Sequence, residues 1–103
     1  MFNSKEIKKD KDVEFKRVEF ISVEDDKTVL ELANKIMLGI PLCLNFDECL
    51  VEEANQVVSF LSGVIYALDG VIQPLSKKIF LLAQKSSFKD GSLNRFIEQY
   101  KEE

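Results

Sequence analysis

Residues 50–83, LVEEANQVVSFLSGVIYALDGVIQPLSKKIFLLA, change their hydrophobic period at one point, and that change decides the fold. Before Asp69-Gly70 the apolar positions Ala54, Val58, Leu61, Ile65 and Leu68 recur every three or four residues, which predicts a helix from about Leu50 to Leu68. After it, Val71–Leu75 and Lys78–Ala83 read as two strands joined by a short Ser-Lys turn. A second row, Val57, Phe60, Val64 and Ala67, widens the apolar arc to roughly half of the helix circumference, more than one face of a two-layer monomer needs. The surplus calls for a cover, either a second copy or another element of the same chain, and the pattern does not choose between them.

Toward the N-terminus, Leu42, Cys43, Leu44 and Phe46 make a nearly continuous apolar run, the mark of a strand covered on both faces. Gly39 and Pro41 end the helix before it, expected over about residues 26–38 with Leu32, Ala33, Ile36 and Met37 at helical spacing. Asp25 or Asp26 is its expected N-cap. Val13, Phe15, Val18, Phe20, Ile21 and Val23 alternate as a first strand, with a break near Lys16 and Arg17. Residues 1–12 are rich in Lys, Glu and Asp without a period and read as a mobile charged tail. Toward the C-terminus, Ser92 is the expected cap of a last helix in which Leu93, Phe96, Ile97 and Tyr100 share a face, and the pattern does not place this helix. The reading is an α/β (α+β) two-layer sandwich: a small mixed sheet packed with helices, order β-α-β-α-β-β-α, dimeric. Its core spans residues 13–84, and a linker and C-terminal helix occupy 85–103.

The chain has 103 residues, 46% hydrophobic and 31% charged, the composition of one globular domain. A formal net charge of -4 leaves no excess of cations for phosphates, so nucleic acid is not an expected partner. No apolar stretch approaches the roughly 20 residues that span a bilayer, and the expected location is cytoplasmic. There is no His, the commonest general base and metal ligand. Cys43 and Cys49 fit neither a redox pair nor a zinc site and read as buried free thiols. The four glycines, 39, 63, 70 and 91, are scattered and form no phosphate-cradling loop. Glu24-Asp25-Asp26 and Asp47-Glu48 sit where helices are expected to start, so their charge suits the helix dipole better than catalysis. No catalytic residue, metal or cofactor is expected.

The run Phe60-Leu61-Ser62-Gly63-Val64-Ile65-Tyr66-Ala67-Leu68-Asp69-Gly70, followed by Ile72-Gln73 and Ile79-Phe80-Leu81-Leu82, resembles the SepF family of bacterial cell-division proteins, as do Asn45, Ala54 and Val58 before it. The likeness covers roughly residues 18 to 83. It implies a non-catalytic scaffold that forms homodimers and higher polymers and binds the C-terminal tail of FtsZ, supporting Z-ring assembly and septum formation. Its place would be the division site, at the inner face of the membrane. Mapped onto this chain, Phe80 is the first candidate for tail binding, with Gln73, Leu75 and Ile79 beside it.

Gly63 has a physical reading as well, since a glycine inside a helix costs about 1 kcal/mol against alanine unless something approaches closely. A helix–helix contact would explain it, and Phe60, Gly63, Val64 and Ala67 are the expected dimer contacts. The chain also departs from the family pattern. Pro74 stands where a basic residue is common, Gln56 and Ser59 replace charges on the outer face of the long helix, and the membrane-binding N-terminal helix has little counterpart. Phe2 and Ile7 with Lys5, Lys8 and Lys9 offer small apolar area, so membrane contact is not decided by this tail. The competing reading from another class is a dimeric domain that senses a small molecule held between its subunits.

Overall fold

The computed structural model describes residues 18–101, so the expected charged tail and the first part of the first strand, residues 13–17, lie outside the described residues. The elements are β1 (Glu19–Ser22), α1 (Val29–Met37), β2 (Leu42–Asn45), α2 (Val51–Ala67), β3 (Gly70–Pro74), β4 (Ile79–Gln84), a 3-10 turn (Lys85–Phe88) and α3 (Ser92–Lys101). Their order is the β-α-β-α-β-β-α read from the sequence.

β2 is interior, as its unbroken apolar run requires. The sheet order is β1-β2-β4-β3. β1 runs parallel to β2, which the α1 crossover makes possible, while β4 is antiparallel to both β2 and β3. Alternation along β2 then sends Leu42 and Leu44 to one face and Cys43 to the other. On the first face Leu42, Leu44 and Leu82 meet Leu32 and Ile36 of α1 and Val57, Leu61 and Ile65 of α2. Burying each such leucine contributes about 1.5–3 kcal/mol. On the second face Cys43, Leu81 and Ala83 meet Leu93 and Ile97 of α3. Phe96 extends that contact to β1, its ring 5.9 Å from that of Phe20. The sheet, α1 and α2 form the two-layer body, and α3 covers the sheet's other side.

Helix α1 ends in a Schellman motif. Gly39 has φ +92°, its N–H donates to the Ile36 carbonyl at 2.9 Å, and Ile40 N–H donates to Lys35 at 3.0 Å. The N-termini depart from expectation. Neither Asp25 nor Asp26 caps α1, which begins behind Thr28 with no side-chain cap bond. Asp25 Oδ1 instead accepts from Lys27 N–H at 2.9 Å, closing a turn ahead of the helix. Asp26 N–H donates to Glu53 Oε1 at 3.1 Å and ties this loop to the first turn of α2. Asp47 likewise lies before α2, donating its N–H to Asn45 Oδ1 at 2.8 Å, and the carboxylates of the first turn are Glu52 and Glu53. Nor does Ser92 cap α3. It is the first helical residue, nearly fully buried, and both its N–H (2.9 Å) and its Oγ (2.8 Å) donate to Asp90 Oδ1. Lys27, Asp47 and Ser92 each donate to a loop carboxylate or amide two residues earlier, which takes the local hydrogen bond.

At the end of α2 it is Asp69, with φ 55°, that adopts the left-handed conformation. Gly70 is required for another reason. A Cβ there would lie 2.7 Å from the Ala83 carbonyl oxygen of β4 and 3.2 Å from Ile65. A strand carbonyl inside a four-stranded sheet has little room to move. Gly70→Ala is therefore expected to lower stability by about 1–3 kcal/mol in denaturant titration, by overpacking. An unchanged midpoint would refute the close-approach account.

Candidate functional site

Period-two alternation along β4 separates two residues that are adjacent in sequence. Phe80 points to the helix side, where its ring meets that of Phe46 edge-on at 5.9 Å with 78° between planes. Ile79 points to the other side and packs with Leu75 against the cluster beneath α3. Gln73 pairs with Leu81 in the β3–β4 ladder and so shares that second face, its Nε2 donating to the Pro74 carbonyl at 3.2 Å. Of the four expected tail-binding residues, the fold places Phe80 apart from Gln73, Leu75 and Ile79.

Around Phe80 the surface closes into a half-open cavity of about 210 Å3. Its apolar wall is Phe46, from the end of β2, with Val51, Ala54 and Val58 along α2. Cys49 and Asn55 also line it, and among the described residues Lys77 and Lys78 of the β3–β4 turn are its only charged lining residues. Phe46, Val51 and the two lysines were not singled out by sequence reasoning, because their meeting depends on where the turn lies relative to the helix. A readable trace existed in Ala54 and Val58, which belong to the apolar row of α2 yet remain only half-buried.

The second candidate surface is the outer side of α2. Phe60 is 46% exposed, Gly63 and Ala67 are exposed, and a Cβ on Gly63 would meet nothing within 4 Å. Val64 is the exception, half-buried against the core. Among the described residues nothing lies within 4 Å of a Cβ on Gly63, so no contact among them accounts for the glycine, while Phe60 is partly covered, lining a hollow with Asp26, Val29, Gln56 and Val57. Tyr66, 89% exposed, stands beside them.

Both cysteines are free and buried, on opposite faces of the sheet. Burial pushes the Cys43 thiol up to about 11. Cys49 is also raised, by burial first and then by the carboxylates of Glu53, Asp25 and Asp26. Nucleophilic thiolate is thus scarce at neutral pH. Among the described residues no three or more Cys, Asp or Glu side chains gather to hold a metal ion, and no helix is long and apolar enough to cross a membrane.

The profile of the family described as "Cell division protein SepF" matches residues 18–86. The chain belongs to the SepF family. A SepF of Caldanaerobacter subterraneus subsp. tengcongensis is 36% identical over 74 residues, covering 72% of this chain and 55% of that protein. The SepF of Natranaerobius thermophilus is 24% identical over 84 residues, 82% of this chain and 50% of the relative. That of Lactobacillus gasseri is 32% identical over 69 residues, 67% and 48% respectively. The chain thus spans about half the length of these SepF relatives. In three dimensions it is similar to a SepF-like protein from Archaeoglobus fulgidus, with a TM-score of 0.59 at 14% identity, covering 65% of this chain and 83% of that one. At that identity the likeness speaks for the fold alone. The matched SepF segment holds β1 through β4, with α1, α2 and every lining residue of the Phe80 cavity.

The Cys43 shift carries a sign. The folded state favours the neutral thiol, so this stabilisation is complete below the unfolded pKa of 9.0 and is lost as pH rises through about 11. The denaturation midpoint is expected to fall across that window, and Cys43→Val should flatten the fall. An equally steep decline in the variant would show that other groups cause it.

Proposed function

We propose that this chain is a non-catalytic adaptor of cell division that self-associates along the outer stripe of α2 and binds the C-terminal tail of FtsZ in the cavity walled by Phe80. The observation that carries the reading is the cavity itself, half-open and apolar, in which a half-buried aromatic ring meets a second one edge-on. Such a site takes the side chain of a bound segment, with neighbouring residues excluding water around it. Its volume is small against the roughly 300–1,000 Å3 of sites that enclose a drug-sized molecule, which favours a peptide over a sensed metabolite. Phe80 is the residue of that wall that the family likeness nominated. Gln73, Leu75 and Ile79, on the other face, would serve a tail long enough to pass around the hairpin. The work would be done at the division site, on the cytoplasmic side.

Self-association is supported by the exposed Phe60, the open Gly63 and the exposed Ala67, one helical face that the described residues leave largely exposed. Val64 would lie at the buried margin of that contact. Pairs built this way could assemble further into polymers.

Calorimetric titration with the cognate FtsZ C-terminal peptide is expected to give saturable micromolar binding. Phe80→Ala should weaken it by about tenfold or more while the thermal unfolding transition stays cooperative. A folded protein that ignores the peptide would overturn the adaptor reading. For the stripe, Gly63→Lys is expected to shift the sedimenting species to monomer, whereas a change of Gln99, on exposed surface of α3, should not. Retention of the wild-type sedimentation profile by the lysine variant would remove α2 from the interface.

A further inference from the structure

The chain carries 18 acidic and 14 basic residues, yet among the described residues the only charged side chains lining the Phe80 cavity are two cations. Both come from the β3–β4 turn, and that turn is held in place. Leu75 N–H and Ser76 N–H both donate to the Ile79 carbonyl, at 2.8 and 3.2 Å. Phe46 N–H donates to the Lys78 carbonyl at 2.8 Å, fastening the lysine's backbone to the residue that forms the aromatic wall. Lys77 and Lys78 are exposed, and neither forms an ion pair among the described residues. A turn with a held backbone therefore presents two unpaired lysines at the rim of an apolar cavity.

Carboxylates act on the lining residue Cys49, but among the described residues none lines the cavity. Cys49 feels Glu53, Asp25 and Asp26, and the bond from Asp26 N–H to Glu53 Oε1 holds two of those residues together. Among the described residues, an entering segment therefore meets charge only at the turn, where Lys77 and Lys78 stand. Pro74, paired with Phe80 on β3, supplies no charge, so the turn is the source of positive charge on that side.

We infer that Lys77 and Lys78 determine the specificity of the Phe80 cavity, which selects a peptide segment with a carboxylate side chain next to its apolar anchor, the acidic end lying over the β3–β4 turn. The inference rests on the tail-binding reading and adds the charge and direction of the bound segment. Each exposed ion pair changes affinity about two- to fivefold at low salt. Rim charges act mainly on association rate and salt dependence, whereas an apolar anchor acts on dissociation.

The test uses the cognate FtsZ C-terminal peptide, a version with every Asp and Glu replaced by Asn and Gln, and a version with its acidic residues moved to the other side of the apolar anchor. Binding of each to the wild-type chain, to the Lys77→Gln/Lys78→Gln double variant and to Phe80→Ala is measured across a salt series. The acidic peptide should bind the double variant about tenfold more weakly than wild type at low salt, with a flatter salt dependence. The amide version should bind wild type and double variant equally, the rearranged version should bind wild type more weakly than the native order, and Phe80→Ala should weaken all three. If the double variant binds the acidic peptide as wild type does, or loses the amide version to the same degree, the lysines do not select charge and the inference falls while tail binding stands. If wild type binds no version, the tail-binding reading falls and takes this inference with it.

Discussion

Everything in this molecule is arranged around a strand that has no exposed side. Leu42 and Leu44 are buried beneath α1 and α2, and Cys43 is buried beneath the cluster that α3 closes. Such a strand can exist only if helices cover both faces of the sheet and another strand pairs with each of its edges. β1 satisfies one edge in parallel and β4 the other in antiparallel, which dictates a helical crossover before β2 and a hairpin after α2. The close approach of Gly70 to Ala83, the turn at Asp69 and the fastening of Phe46 to Lys78 follow from bringing that hairpin back against β2.

The elements were legible because their periods are strong. The row Ala54, Val58, Leu61, Ile65 gave α2, observed over Val51–Ala67, and Gly39 with Pro41 marked the end of α1 where the Schellman motif stands. What misled was the chemistry of short polar residues near helix starts. Asp25, Asp47 and Ser92 are all plausible caps in a linear string, but a side chain one or two residues away decides which local hydrogen bond forms, and that depends on the path of the loop. The position of α3 was not readable for a related reason. Its apolar face fits any apolar surface, and only the sheet's second face, half of it contributed by β4, selects where it lies.

The candidate site was legible in one residue and hidden in the rest. Phe80 stood out through its family position, but the strand alternation that parts it from Ile79 is a property of the sheet, visible only once its covered face is known. The wall opposite Phe80 comes from a residue 34 positions earlier, Phe46, and from one side of α2. Contacts so distant along the chain leave no local signature.

One helix serves both candidate surfaces. Its first two turns wall the cavity with Val51, Ala54 and Val58, and its later turns bear Phe60, Gly63 and Ala67. With a rise of about 1.5 Å per residue, the middle residues of the two surfaces, Ala54 and Gly63, are separated by roughly 14 Å of continuous hydrogen-bonded rod. Copies joined along this rod would hold their cavities at a set spacing, without an intervening tether to dilute one against the other. A filament that displays many identical tails would then be gripped twice by each pair, and the second grip would be intramolecular. A pair could thus cling to a filament far more firmly than to a lone subunit, and so register polymerisation itself.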